Sequence, residues 1–416
     1  MIRVIGSKLY IGDYAAEEIA LRYGTPVYVY DLETVIENYN RLINSIPYDR
    51  VEILYSCKAN NNIKILETLR DLGSGLDVVS PFEALLGVKL GFPRDKILFT
   101  GNNVSDEEMR FVRDLGILIN IDSLSQLKRY GRMFPNTEVS IRINPGLGAG
   151  HHSYTMTGGL TKFGLYIDQI DRVLEYSKHY NLKIIGLHTH IGSGILDIEP
   201  YREALKIVLR IAEKLRDLEF IDIGGGLGIP YKPDEKPLDL ALFGRTVVEL
   251  VREFNKKYQQ TVKLRVEPGR YIVGDAGVLL VRVVDIKEVE SGGKRKIFVG
   301  VDSGMNHLIR PALYGAYHEI IAVNKADHER TQIVDVVGNI CESGDIIAIE
   351  RSMPALEEGD ILAIMNVGAY GYSMSSNYNL RPRPPEVVVY KREIELTRRR
   401  ETFEDLMKTF LDLRLD

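Results

Sequence analysis

The sequence has no tryptophan and little cysteine, and it lacks both a long apolar run and an excess of positive charge. Its two cysteines, Cys57 and Cys341, make a disulfide framework improbable and favour a reduced, cytoplasmic setting. The N-terminus lacks the apolar region of a signal peptide, and roughly 18 consecutive apolar residues, enough to cross a membrane, occur nowhere. A formal net charge of −5 argues against a general nucleic-acid-binding protein.

A chain of 416 residues is too long for one ordinary core, so two domains are expected. From residue 24 to residue 270, short apolar strands alternate with amphipathic helical stretches. Eight such strands over roughly 250 residues match a (β/α)8 TIM-type barrel, with an open doubly wound sheet as the alternative. The predicted barrel strands are Glu52–Lys58, Gly75–Ser80, Lys96–Gly101, Ile117–Asp122, Glu138–Asn144, Ile184–His190, Phe220–Gly225 and Lys263–Glu267.

After residue 270 the alternation with helices stops, and short strands follow one another across polar turns. This pattern predicts an all-β domain made of residues 271–416 together with residues 1–23, which contribute an N-terminal strand at Lys8–Ile11. A closing helix is predicted from Phe403 to Leu413, because apolar residues recur there at helical spacing.

Polar residues stand at the ends of almost all predicted barrel strands. Barrel enzymes place their active sites at the carboxyl ends of the strands, so this pattern predicts one polar site there. The residues concerned are Lys58, Asp77, Asp122, Arg142, Asn144, His188, His190, Asp222, Glu267 and Arg270.

Lys58 closes the apolar stretch Val51–Tyr55, and alternation along a strand would place it on the face of Leu54 and Ser56. A lysine at the mouth of a buried strand is costly unless something uses it. Two interpretations are open: an ion pair with a carboxylate, or a neutral amine that acts as a nucleophile.

Three other strand ends each admit a structural and a functional interpretation. The glycine-rich loop at residues 222–228 is either a tight turn or a cradle of N–H groups for a phosphate. His188 and His190 could form a metal pair, although nearby ligands are too scattered for us to predict a metal site; a core histidine and a ring stacked on a planar cofactor are the alternatives. Glu267 is either a strand-end ion-pair partner or a carboxylate that keeps a pyridine nitrogen protonated.

Taken together, a strand-end lysine, a stacking histidine, a phosphate cradle and a buried glutamate are the groups needed to bind pyridoxal 5'-phosphate. Four segments resemble the barrel motifs of fold-type III pyridoxal-phosphate decarboxylases, in the family's order. They are residues 55–60 (Tyr-Ser-Cys-Lys-Ala-Asn), 188–194 (His-Thr-His-Ile-Gly-Ser-Gly), 224–226 (Gly-Gly-Gly) and 267–270 (Glu-Pro-Gly-Arg).

Three C-terminal segments are similar to the diaminopimelate decarboxylases in particular, so the resemblance covers essentially the whole chain. They are residues 302–314 (Asp-Ser-Gly-Met-Asn-His-Leu-Ile-Arg-Pro-Ala-Leu-Tyr), 341–345 (Cys-Glu-Ser-Gly-Asp) and 368–372 (Gly-Ala-Tyr-Gly-Tyr). His307 departs from the family, which commonly has an acidic residue at this position.

The resemblance implies four catalytic residues. Lys58 would hold the cofactor aldehyde, His190 would stack on the ring, Glu267 would bind the ring nitrogen, and Cys341 would return a proton to the reacting carbon. The other residues implied to bind the cofactor are Asp77, Ser193, Gly225, Gly226, Gly269, Arg270 and Tyr370. The residues implied to bind the substrate are Arg270, Arg310, Tyr314, Glu342 and Tyr370. In the family the Cys341 segment reaches into the partner's barrel, which implies a homodimer with shared active sites.

The implied reaction is decarboxylation of meso-2,6-diaminopimelate to L-lysine and carbon dioxide, the last step of lysine biosynthesis. Diaminopimelate has two amino-acid ends, so a selective pocket needs cations for the far carboxylate and an anion for the far amine. Arg310 with Arg270 would supply the cations, and Glu342 would supply the anion. A lysine, ornithine or arginine decarboxylase, in contrast, would meet no far carboxylate. A racemase of the same fold, typically with arginine opposite the ring nitrogen, and a non-catalytic relative are the remaining alternatives.

Overall fold

The structure, a computed structural model, describes residues 1–411, which divide into two compact units. The barrel unit consists of residues 36–230 and 236–272, and the β unit consists of residues 1–35, 231–235 and those from 273 onward. Residues 24–35, which the sequence analysis assigns to the barrel, therefore lie in the β unit. They include the strand Val27–Asp31, which pairs within the large sheet of that unit.

In the described part of the barrel unit, eight parallel strands form a closed ring. Each strand pairs with the next one along the chain, and the eighth pairs with the first. This closure confirms the predicted barrel and excludes the open sheet. The strands are Val51–Ser56, Gly75–Val78, Ile97–Phe99, Leu118–Ile121, Glu138–Asn144, Lys183–Thr189, Phe220–Asp222 and Lys263–Val266.

Helices follow the barrel strands because their apolar residues recur at helical spacing and their starts carry capping side chains. Ser105 and Ser123 each cap a helix, and Ser105 forms a capping box with Glu108. Asp168 lies in the short 3-10 helix Ile167–Gln169, which directly precedes the helix Ile170–His179. The α-helices of this region are Leu32–Ser45, Ile63–Asp71, Pro81–Lys89, Asp106–Asp114, Leu124–Met133, Ile170–His179, Glu199–Ala212, Leu240–Tyr258 and Arg270–Val273.

The β unit contains one large, mainly antiparallel sheet and a small N-terminal sheet. In the large sheet the strands lie in the order Ile346–Met353, Gln332–Val337, Lys294–Val301, Gly277–Ser291, Val27–Asp31, Glu386–Tyr390 and Glu393–Arg398; Ile361–Ile364 also pairs with Gly277–Ser291, and Ile320–Ala322 pairs with Ile361–Ile364. The small sheet consists of Ile2–Ile5, Lys8–Ile11 and Tyr14–Ala15.

The predicted N-terminal strand Lys8–Ile11 contributes Leu9 and Ile11 to the apolar core of the β unit. This core also contains Val27, Val278 and Val387, which come from three adjacent strands of the large sheet. The helix Ala16–Tyr23 packs Ala16 and Ile19 into the same core. Residues far apart in the sequence therefore form one buried cluster.

The C-terminal helix is shorter than predicted and extends from Phe403 to Met407. Phe403 and Phe410 are exposed and Leu406 is partly buried, whereas Leu413 lies outside the described residues. Within residues 1–411, no helix combines the length and the apolar character needed to cross a membrane.

We predict that Gly244→Ala destabilises the barrel unit. A Cβ at Gly244 would lie 1.8 Å from the carbonyl oxygen of Ser45, and backbone at this contact cannot rotate away. The overpacking should cost about 1–3 kcal/mol, more than the helix propensity gained from alanine. Urea unfolding should show a lower midpoint, and Arg245→Ala, at an exposed position of the same helix, should leave it nearly unchanged.

Candidate active site

Polar side chains are buried together at the carboxyl ends of the barrel strands. Buried charges are costly unless they are paired, so their concentration at one end indicates a functional site. The Arg142 guanidinium illustrates how close they are: burial lowers its pKa, while Asp122, Glu267 and Asp77 act in the opposite direction. The buried residues of this set are Asp77, Asp122, Arg142, Asn144, His188, Asp222, Glu267 and Arg270.

Lys58 lies just past the end of the first strand rather than on it. The strand ends at Ser56, and Lys58 occupies the 3-10 turn Cys57–Ala59, so strict alternation of faces does not apply to it. Its Nζ forms an ion pair with Asp77, and its side chain keeps 32% of its accessible surface. A Cβ at Gly269 would lie 2.9 Å from that of Ala59, so the glycine allows this turn to pack closely.

Asp77 is held ionised beside Lys58, which matches the ion-pair interpretation of the lysine. Burial alone would raise the pKa of Asp77, but the Lys58 charge and hydrogen bonds from Lys58, Thr100 and Ser56 lower it overall. Ser56 Oγ donates to Asp77 Oδ2 over 2.9 Å. The carboxylate therefore fixes the lysine amine at the mouth of the barrel. Cys57, in contrast, is fully buried, and burial raises its pKa, as expected of a packed core thiol.

Glu267, His188 and Asp222 form a second buried cluster. His188 Nε2 lies 3.0 Å from Glu267 Oε2, and Asp222 Oδ1 accepts a hydrogen bond of 2.9 Å from the amide of Gly224. Burial lowers the pKa of His188 to about 4, so its imidazole is neutral. Its Nε2–H then donates to the glutamate, and the interpretation of His188 as a hydrogen-bonded core histidine is confirmed.

The cluster leaves two carboxyl oxygens without a hydrogen-bond partner among the described residues, Glu267 Oε1 and Asp222 Oδ2. Burial is the main cause that raises the pKa of Glu267 to about 8, and the Asp77 charge adds to it. Burial and the Glu267 charge raise the pKa of Asp222 well above its usual range. The pair therefore retains a proton at neutral pH.

One ligand atom from each of His188, Asp222 and Glu267 lies within 4.8 Å of the others, a spacing that a metal ion could also use. The hydrogen bond between His188 and Glu267 already uses one nitrogen and one oxygen of that set. The remaining carboxyl oxygen, which is buried and needs a partner, fits the nitrogen of a pyridine ring as well as it fits a metal ion. The glycine-rich loop nearby could bind the phosphate of the same cofactor.

The glycine-rich loop begins directly after the seventh strand, Phe220–Asp222. Gly225 and Gly226 have no room for a side chain, since a Cβ would lie 1.8 Å from Glu267 O and 2.2 Å from Gly192 O respectively. Gly226 also has a φ of +89°, which favours glycine. The amide of Gly225 donates to His190 Nδ1 over 3.1 Å, which orients the ring of His190.

Ser193 and Arg270 form the polar side of the same region. Arg270 Nη2 and Nε donate to Ser193 Oγ over 3.1 and 3.3 Å. A buried guanidinium beside a hydroxyl and a glycine loop suits a phosphate. The barrel unit thus offers an amine, a ring face, a carboxyl oxygen and an anion cradle, and these groups fit pyridoxal phosphate.

The residues expected to bind the substrate lie mostly in the β unit. Arg310 starts the short helix Arg310–Tyr314 and is fully buried, whereas Tyr314 is partly buried. Cys341 and Glu342 are exposed, and the amide of Cys341 donates to Asn379 Oδ1 over 2.8 Å. Tyr370 is partly buried and has a φ of +59°.

His307 has a structural role in the β unit. Its Nε2–H donates to the carbonyl of Pro382 over 3.2 Å, and its Nδ1 accepts from the hydroxyl of Ser303 over 3.0 Å. Its own carbonyl accepts a hydrogen bond from Tyr28. Burial lowers the pKa of His307 to about 4, so the imidazole is neutral and links separate segments of the unit.

Two residues that contact Arg310 were not predicted from the sequence, namely His318 and Tyr231. His318 Nε2 lies 2.9 Å from Arg310 Nη1, and the guanidinium carbon lies 4.5 Å from the centre of the Tyr231 ring. The local signal was a single histidine two residues before the apolar strand Ile320–Ala322.

Comparison with known proteins agrees with this geometry. Residues 32–274 match the family described as "Pyridoxal-dependent decarboxylase, pyridoxal binding domain". The chain is 46% identical over 410 residues to the diaminopimelate decarboxylase of Methanothermobacter thermautotrophicus, covering 96% of this chain and 95% of that relative.

Solved structures extend the similarity to both units. The diaminopimelate decarboxylase of M. jannaschii in complex with L-lysine is 34% identical, with a TM-score of 0.89 and coverage of 99% of this chain and 98% of that one. The Helicobacter pylori enzyme complexed with L-lysine is 34% identical, with a TM-score of 0.86 and coverage of 94% and 98%. This chain therefore belongs to the diaminopimelate decarboxylase family of pyridoxal-dependent carboxy-lyases.

Proposed function

We propose that this protein decarboxylates meso-2,6-diaminopimelate to L-lysine and carbon dioxide, the last step of lysine biosynthesis. The observation that carries the proposal is that the barrel end combines an amine, a ring face, a carboxyl oxygen and an anion cradle, which fit pyridoxal phosphate. The chain that contains them is 46% identical to a diaminopimelate decarboxylase. Bound pyridoxal phosphate supplies an electron sink for the electron pair that remains when the carboxylate leaves.

The barrel residues would hold the cofactor. Lys58 would hold the cofactor aldehyde through its amine, which the ion pair with Asp77 positions at the mouth of the barrel. Arg270, Ser193 and the glycine loop bind the phosphate, next to the hydrogen bonds that they already form. Together these contacts fix the cofactor from both ends.

Glu267 and His190 would set the environment of the ring. His188 donates to Glu267 Oε2, which leaves Oε1 to pair with the ring nitrogen and keep it protonated. Glu267, rather than an arginine, at this position favours a decarboxylase over a racemase. The ring of His190, oriented by the Gly225 amide, would stack on the cofactor face.

The β-unit residues would bind the far end of the substrate and complete the reaction. Arg310 takes the far carboxylate, with Arg270, Tyr314 and Tyr370 as further contacts, and Glu342 takes the far ammonium. Cys341 donates its thiol proton to the carbon that has lost carbon dioxide, so a proton replaces the departing carboxylate. Selectivity follows because a lysine or ornithine side chain has no far carboxylate to satisfy Arg310.

We also propose a cytoplasmic homodimer in which each active site takes Cys341 and Glu342 from the partner subunit. The exposure of both side chains in the single chain supports this arrangement. Both cysteines are free thiols, which supports a reducing compartment.

The first test measures cofactor attachment and substrate choice. Purified protein should absorb in the visible range and release carbon dioxide from meso-diaminopimelate, but not from lysine, ornithine or arginine. Lys58→Ala should abolish both the absorbance and the activity, since no other amine holds the aldehyde. Lys89→Ala, at an exposed helix end, serves as the control and should change neither. Equal turnover of lysine would contradict the role of Arg310.

The second test uses the raised pKa of Glu267 in cofactor-free protein. Between pH 6.5 and about 8 the folded state retains a proton that the unfolded glutamate has lost, so stability should fall as pH rises. His188, whose pKa is lowered, contributes its pH dependence below about 6.5, outside this window.

Glu267→Gln should therefore lose less stability than the wild type over that window, by on the order of 1–2 kcal/mol, as measured by urea unfolding at both pH values. Glu249→Gln, at an exposed helix position, is the control and should follow the wild type. Equal slopes for Glu267→Gln and the wild type would show that Glu267 is ionised in the folded protein.

The third test concerns the shared site. Lys58→Ala and Cys341→Ala should each be inactive alone. When equal amounts are mixed and reassembled, half of the dimers are mixed and each of these has one intact site of two, so about a quarter of wild-type activity should return. Carbon dioxide release from the mixture measures the recovery. An inactive mixture whose subunits have exchanged would mean that one chain builds each site.

A further inference from the structure

Arg310 is the most deeply buried guanidinium of the β unit described here, with 1% of its surface accessible. A buried cation requires close partners, because its desolvation costs several kcal/mol. The residues around Arg310 therefore determine where its N–H groups point. Two residues that contact it are His318 and Tyr231, which belong to the same compact unit.

The hydrogen bonds of His318 fix its protonation pattern. Its Nδ1 lies 2.8 Å from the carbonyl oxygen of Met365, which can only accept, so Nδ1 carries the hydrogen. Nε2 of the neutral ring then has a lone pair, and Arg310 Nη1 donates to it over 2.9 Å. The imidazole, fully buried, thus links the backbone to one edge of the guanidinium.

Tyr231 covers the face of the same guanidinium. The guanidinium carbon lies 4.5 Å from the ring centre, a distance typical of a cation–π contact. The tyrosine and His318 rings are 5.4 Å apart and meet edge to face at 82°. The hydrogen bond to His318 therefore restrains rotation of the guanidinium within its own plane. Stacking on Tyr231 restrains the tilt of that plane.

We propose that His318 is a positioning residue that orients Arg310 toward the carboxylate far from the reacting carbon, with Tyr231 as its stacking partner. This inference rests on the proposed function. A guanidinium binds a carboxylate through two parallel N–H groups only when its plane and rotation match those of the ligand. His318 sets the rotation, so its effect should appear in recognition of the far carboxylate and not in cofactor binding.

The test compares His318→Leu and His318→Gln in the pyridoxal-phosphate-loaded enzyme. As the reaction product, L-lysine still carries the carboxylate that lay far from the reacting carbon, whereas cadaverine has no carboxylate. Affinities for the two, measured by calorimetry, therefore isolate the contribution of Arg310. His318→Leu should weaken L-lysine binding by about tenfold or more, raise KM for meso-diaminopimelate similarly, and change kcat less. Cadaverine binding and the visible absorbance should remain as in the wild type.

His318→Gln can accept from Arg310 through its side-chain oxygen and should recover most of the lost affinity. His328→Leu, at an exposed position of the same unit, is the matched control and should behave as the wild type. If His318→Leu does not fold, His318→Phe, which keeps a ring against Tyr231 but has no acceptor, replaces it.

Equal losses of L-lysine and cadaverine affinity, or no loss of either, would overturn the inference. The same loss in His318→Gln as in His318→Leu would also overturn it, because packing alone would then explain the effect. Failure of the wild type to release carbon dioxide from meso-diaminopimelate would instead refute the proposed function, so the two failures are distinguishable.

Discussion

Closure of the parallel barrel is the constraint on which the cofactor site depends. When the fourth and fifth strands pair and complete the ring, the carboxyl ends of all eight strands meet at one end. Charged residues that are far apart in the sequence are then buried side by side. For this reason Asp77 and Glu267 shift the pKa of Arg142, and Asp77 and Arg142 shift the pKa of Glu267. The chemistry of the site is a consequence of topology as much as of residue type.

Both units contain buried histidines that are neutral. In each case one ring nitrogen donates to a fixed oxygen, which decides what the other nitrogen can do. His188 donates to Glu267, His307 donates to Pro382 and accepts from Ser303, and His318 donates to Met365 and accepts from Arg310. Burial thus turns a titratable side chain into a directional hydrogen-bonding group.

The sequence was sufficient to predict the barrel, its strands and the polar residues at their ends, because periodic apolar segments and strand-end charges are local signals. It did not predict that Val27–Asp31 joins the β unit, since pairing with Glu386–Tyr390 depends on residues more than 350 positions away. The turn at Lys58 and the contacts of His318 were missed for a related reason. Both depend on which side chains tertiary packing brings into contact, and a single histidine or lysine carries no pattern.

The strand Val27–Asp31 lies inside the large sheet, between Gly277–Ser291 and Glu386–Tyr390. It leaves the ribosome early, whereas one of its two neighbours is made almost last. Until then its apolar residues and its backbone N–H and C=O groups lack a partner on that side, as on an unprotected sheet edge. A chain that ends before residue 386 therefore keeps an unpaired strand edge where the complete sheet is continuous. Such fragments are prone to aggregation and to removal by proteases.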